Sequence, residues 1–162
     1  MKRNILLLVL MSLVSVTQAV SAKPAVPSWR DSRPWSTEVA TVIVGDVSLQ
    51  AEIADTSALQ TRGLSYRDSL APGTAMLFDF GSPSPRSFWM RETRFCLDII
   101  WIEDGKITGA AENACPNPNV PTSELARYTS GVPVTYVLEV PAGWMEEHGF
   151  EPGTDVTIIF PE

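Results

Sequence analysis

The chain has 162 residues, with 12 basic and 19 acidic side chains, a net charge of −7, 44% hydrophobic residues and two cysteines. That length calls for one ordinary domain with a single hydrophobic core. Its acidic balance excludes nucleic-acid and membrane-surface binding as expected roles, because such a surface repels phosphate backbones and anionic lipid.

Lys2 and Arg3 precede an uncharged apolar run from Ile5 to Val16, and small residues follow at Val20, Ser21 and Ala22. This is the pattern of a secretory signal peptide over residues 1–22. The run is shorter than the roughly 20 apolar residues a membrane span needs, so no stable membrane insertion is expected after cleavage. Removing 22 of the 162 residues leaves 140, and the loss of two basic residues takes the charge from −7 to −9. A periplasmic or secreted location follows as the expectation. In such an oxidising compartment the isolated Cys96 and Cys115 are expected to form one structural disulfide, since no Cys-x-x-Cys spacing marks a redox pair.

Residues 23–37 are rich in proline and serine, contain Trp29 and Trp35, and show no period, which suits an extended lead-in. A β-rich domain is then expected over 38–162. Glu38–Val44 is β-branched and Val47–Ile53 alternates apolar and polar residues, so the two form a hairpin about Gly45-Asp46. Ser57 and Gln60 have capping-box spacing and Gly63 sits at a helix C-terminus, which predicts a helix of about two turns. Ala75–Phe80 and Ser87–Arg91 read as strands separated by a loop at Gly81–Pro85. Leu97–Glu103 is apolar on both faces and reads as a central strand covered on each side. Asp104-Gly105 is a strong hairpin signal, with Lys106–Ala111 returning. Asn113–Val132 contains three prolines and is expected to be a long surface loop tethered by Cys115. A strand at Pro133–Val140, a short helix from Pro141 to about Gly149 and a last strand at Asp155–Phe160 complete the chain. The fold class expected is mainly β: one distorted β-barrel or sandwich with two short helices.

The runs QTRGLSYRDSLAPGTAMLFDF, SFWMRETRFCLDIIWIEDGKI and YVLEVPAGWMEEHGFEPGTDV follow one another over about Val39 to Phe160. They resemble the bacterial and archaeal family known as domain of unknown function 192. The family's Arg-Gly-Leu and following Arg fall on Arg62, Gly63, Leu64 and Arg67, and its Met-Leu-Phe on Met76 to Phe78. Its Trp-Met-x-x-Thr falls on Trp89, Met90 and Thr93, its Leu-Asp on Leu97 and Asp98, and its Leu-Glu-x-Pro-x-Gly on Leu138, Glu139, Pro141 and Gly143. Ala75 stands where a glycine is usual and Cys96 where a proline is usual. The resemblance implies a small jelly-roll-like barrel, often exported, with no established activity.

Asp98 lies among isoleucines, on one strand face with Ile100 and Ile102, while Leu97, Ile99 and Trp101 point the other way. A carboxylate there needs donors. Arg62, Arg67, Arg91 and Arg94 are candidates, and so are the backbone amides of a loop. A sharper alternative is a ligand cleft in which Arg62, Arg67, Thr93, Asp98 and Glu139 meet, walled by Trp89, Met90 and Trp144, to bind an unidentified small molecule or an envelope protein partner. The same carboxylates, Asp98 and Glu139, could serve as acid and base on an envelope saccharide if their separation suits. A third reading is copper(I) held by Met76, Met90, Met145 and His148, against which stands the ordinary use of methionine as core filler. Zinc is disfavoured by a single histidine, a serine nucleophile by the lack of a Gly-x-Ser-x-Gly elbow, and no metal or cofactor is expected.

Overall fold

The computed structural model describes residues 38–162, so the signal-peptide and lead-in segments, 1–22 and 23–37, lie outside the described residues. β-branched residues start the fold as strand β1 (Val39–Val44), which turns at Gly45 into β2 (Val47–Ala54). Gly45 has φ +56°, and a Cβ there would sit 2.7 Å from the Phe150 ring, so the turn admits glycine for both conformation and space. Helix α1 (Ser57–Arg62) follows, then β3 (Thr74–Phe88), β4 (Leu97–Glu103), β5 (Lys106–Ala114), a 3₁₀ turn at Thr122–Glu124, β6 (Tyr128–Pro141), α2 (Trp144–His148) and β7 (Val156–Ile159).

These strands form one seven-stranded sheet in the order β5-β4-β6-β3-β2-β1-β7. All neighbours are antiparallel except β2 and β3, which run parallel because α1 carries the chain across between them. The sheet curls into a half-barrel whose two ends meet at one corner. Lys106 bridges Asp155, Ile107 N–H donates to Thr154 O at 2.9 Å, and Val156 N–H donates to Gly105 O at 2.7 Å. The described residues form one mainly β domain with two short helices, as the alternation of its strands implies.

Curling gives the sheet two apolar faces. The inner cluster includes Val42, Leu49, Leu77, Ile100, Ile102, Leu138 and Val140 and is closed by Trp144 and Met145 of α2. The outer cluster includes Met76, Phe78, Met90, Leu97, Ile99, Trp101 and Val137, with Leu59 of α1 packed against it. β4 separates the two clusters and is buried from Leu97 to Ile102, as expected of a covered central strand.

Several boundaries differ from expectation. β3 and β6 continue as long arms through their proline-containing segments, with pairs Ser84↔Val134, Pro85↔Pro133 and Phe88↔Tyr128 across two register shifts. Proline lacks a ladder donor, and here it is accommodated at those irregularities rather than ending the strands. The long surface loop therefore shrinks to residues 115–127. Thr56, not Ser57, caps α1, its hydroxyl accepting from Leu59 N–H at 3.3 Å, while Gln60 donates to Ala54 O and Asp79 O. Pro141 closes β6, and α2 begins three residues later.

Cys96 and Cys115 are disulfide-bonded, immediately beyond the Leu97↔Ala114 pair of the β4–β5 ladder. The bond holds residues 115–127 against the sheet. Replacing both cysteines by serine is expected to cost about 3 kcal/mol through the lost loop-closure constraint, read as a lower midpoint in urea unfolding. An unchanged midpoint would show that the ladder alone confines the unfolded chain.

Candidate functional site

Asp98 is fully buried, and its donors are backbone amides rather than an arginine. Oδ1 accepts from Asn113 N–H at 2.8 Å and Gly143 N–H at 3.2 Å, and Oδ2 accepts from Met145 N–H at 3.0 Å. Asn113 lies in a β4–β5 bulge and has φ +53°, while Gly143 has φ +83° and precedes α2. One side chain on the central strand thus holds both the bulge and the helix. Three N–H donors compensate the desolvation that would otherwise make the position untenable for a carboxylate.

Glu139 pairs with Met76 on one side and Ile99 on the other, and both neighbours belong to the outer cluster. It is 5% exposed, and among the described residues its Oε2 has no hydrogen-bond partner. Burial pushes its carboxyl up from 4.5 to about 8, because the apolar surroundings penalise the charged form. The same row of the sheet carries Glu52, paired with Met76. Glu52 accepts from Arg67 Nη1 and Nη2, at 2.6 and 2.5 Å, a bidentate pair lying two strands from Glu139. Arg62 ends α1 and is buried. The turn after α1 is tied to the segment after β3, where Ser65 Oγ donates to Arg91 O at 2.9 Å and Tyr66 N–H donates to Glu92 O at 2.8 Å. Thr93 is half-buried beside it, its hydroxyl 3.5 Å from Arg91 O.

Trp89 opens that segment. The Arg127 guanidinium lies 3.7 Å from its ring and that of Arg91 5.5 Å, so the indole carries two cation–π partners. Neither arginine makes an ion pair among the described residues. Beside them is a cavity of about 180 Å³ lined by Met90, Cys115, Val120, Glu124, Leu125 and Tyr128, among others. Arg127 was not legible as a site residue in the sequence, since it sits in a stretch without period. Its only signal was a place within the loop that Cys115 tethers.

The structure does not assemble the expected cleft as one site. Asp98 faces the inner cluster and Glu139 the outer, because their in-register partners, Val140 of the inner cluster and Ile99 of the outer, lie on opposite faces of the sheet. Arg67, Met90 and Glu139 are on the outer face, whereas Trp144 is packed inside against Phe150 and His148. Acid–base work shared by Asp98 and Glu139 is corrected by this geometry: the sheet lies between them and Asp98 is committed to three amides. The copper(I) set is divided in the same way, with Met76 and Met90 outside and Met145 inside.

Fold and geometry define an uncharacterised class, a half-barrel domain with a buried carboxylate on each face and an arginine–tryptophan surface beside the disulfide. The chain belongs to the family DUF192, described as Uncharacterized ACR, whose model matches residues 40–158. A crystal structure from Sinorhizobium meliloti 1021, described as a candidate transcription regulator, is 36% identical over 78% of this chain and 96% of its own, with TM-score 0.66. A protein of unknown function from Novosphingobium aromaticivorans DSM 12444 is 26% identical over 82% of this chain and 99% of its own, with TM-score 0.67. Among curated proteins none matches the chain.

Glu139 has a readable consequence. Between pH 4.5 and about 8 the folded chain keeps a proton that the unfolded chain has released, so this group lowers stability as pH rises through that window. The slope is at most about 1.4 kcal/mol per pH unit and vanishes below and above the window. Thermal unfolding of Glu139→Gln should lose that part of the decline and exceed the parent at pH 8. Parallel pH profiles for the two proteins would show that the carboxyl is not held protonated.

Proposed function

We propose that this chain is an exported cell-envelope protein that binds a small anionic molecule at the Trp89, Arg91 and Arg127 surface. The carrying observation is the indole of Trp89 flanked by two guanidinium groups that lack ion-pair partners among the described residues. A guanidinium laid on a ring keeps its N–H edges in plane, where a carboxylate or phosphate accepts two parallel hydrogen bonds.

The adjoining cavity offers space for the ligand's uncharged part, with Met90 following Trp89 and Tyr128 following Arg127 in its lining. Export is supported by the amino-terminal sequence pattern and by a disulfide, which persists in oxidising compartments. No helix among the described residues is long and apolar enough to cross a membrane. The regulator description of the Sinorhizobium relative does not lead to DNA binding here, because the acidic balance opposes a phosphate backbone.

Thermal unfolding with glucuronate and phenyl phosphate, against glucose as the uncharged control, tests the reading. A ligand at about 100 times its dissociation constant stabilises by roughly 2.7 kcal/mol, a shift of a few degrees for a domain this size. The shift should appear with an anion only and disappear in Trp89→Ala and Arg127→Ala. A shift that survives both substitutions, or none with either anion, would contradict the proposal.

A further inference from the structure

A second concavity lies on the other side of the molecule, where α2 closes the inner cluster. It has a volume of about 410 Å³ and runs between the start of β2, the Leu70 to Thr74 turn and α2. Leu49, Leu70, Pro72 and Trp144 supply apolar walls, and Glu147 and His148 supply the ionisable groups. The volume and this mixture of apolar walls with few polar groups are those of a small-molecule site. Its lining holds one carboxylate, Glu147, and neither arginine nor lysine.

His148 has a defined role in that lining. Its Nδ1 lies 2.9 Å from Trp144 O, and a carbonyl only accepts, so Nδ1 carries a proton. In the neutral ring Nε2 is then the acceptor, the one ring nitrogen left for a ligand. The ring is also held in place by Trp144 at 4.7 Å and by near-parallel stacking on Phe150 at 5.6 Å. Glu147, exposed on the next position, has no ion pair among the described residues. A carboxylate and an imidazole whose remaining nitrogen is an acceptor, both lining an otherwise apolar groove, match a donor-only cation with an apolar body.

We infer that this groove is a second binding site, taking a small primary ammonium whose apolar portion lies against Leu49, Leu70 and Trp144 while its N–H groups meet Glu147 and His148. Asp98 acts there as a positioning residue, since its bond to Met145 N–H sets the helix that presents both acceptors. The site is independent of the anion surface, and its failure would leave that reading standing.

Isothermal titration of the whole chain with phenethylamine, and with phenylacetate as the ligand of reversed charge, tests the inference. Phenethylamine should bind and phenylacetate should not perturb the groove, as followed by the backbone amide resonances of Leu49, Leu70 and His148. Glu147→Gln, an exposed substitution that leaves the core untouched, should weaken phenethylamine binding about fivefold, the upper range for a partly exposed ion pair. Arg127→Ala should leave it unchanged. Equal binding of both probes at the groove, binding of neither, or an unchanged affinity in Glu147→Gln would overturn the assignment.

Discussion

The geometry of this half-barrel depends on a carboxylate that has no charged partner. Asp98 sits on the central strand and draws three backbone amides to it, from Asn113, Gly143 and Met145. Two of those donors flank or begin the helix that closes the inner core, and the third lies at the bulge beside the disulfide. A side chain with several acceptor sites can satisfy amides that no ladder reaches, which is why a polar residue is tolerated among isoleucines. An apolar residue of similar size would take the acceptor from three N–H groups at once, that of Met145 among them buried.

Two carboxylates adjacent across the ladder meet opposite fates because the strand repeat is two. Asp98 pairs in register with Val140 and is filled with donors, while Glu139, one residue earlier on β6, turns to the other face. There its neighbours are Met76 and Ile99, and burial holds its proton. The inner face therefore carries a fixed structural contact, and the outer face a carboxyl whose burial favours its protonated form. Two concavities stand apart as well: one lined by Met90, Glu124 and Tyr128 next to the Trp89 and Arg127 contact, the other lined by Glu147 and His148.

Much of the fold was legible because its signals are local. Alternation located β1 and β2, a continuous apolar run marked β4, and Asp104 and Gly105, with φ of +49° and +68°, make the tight turn their residue types favour. The pairing of Cys96 with Cys115 and the face shared by Asp98, Ile100 and Ile102 were likewise readable. The extension of β3 through Ser84 and Pro85 was not, since it depends on β6 as a distant partner, and strand pairing overrides the turn preference of proline and glycine there. Nor could residue type show that the donors to Asp98 would be amides, because these are placed by the positive φ of Asn113 and by the start of α2. The partnership of Trp89 with Arg127 escaped for the same reason, being made across a disulfide-tethered loop.

The most direct test of Asp98 as the organising contact is amide hydrogen exchange, resolved by residue, in the parent and in Asp98→Asn. If Asp98 holds the bulge and the helix, the amides of Asn113, Gly143 and Met145 exchange slowly in the parent and open together in the variant, while the β1–β2 ladder stays protected. Exchange at those three positions that is as fast in the parent as in residues 115–127, or that the substitution leaves unchanged, would contradict it.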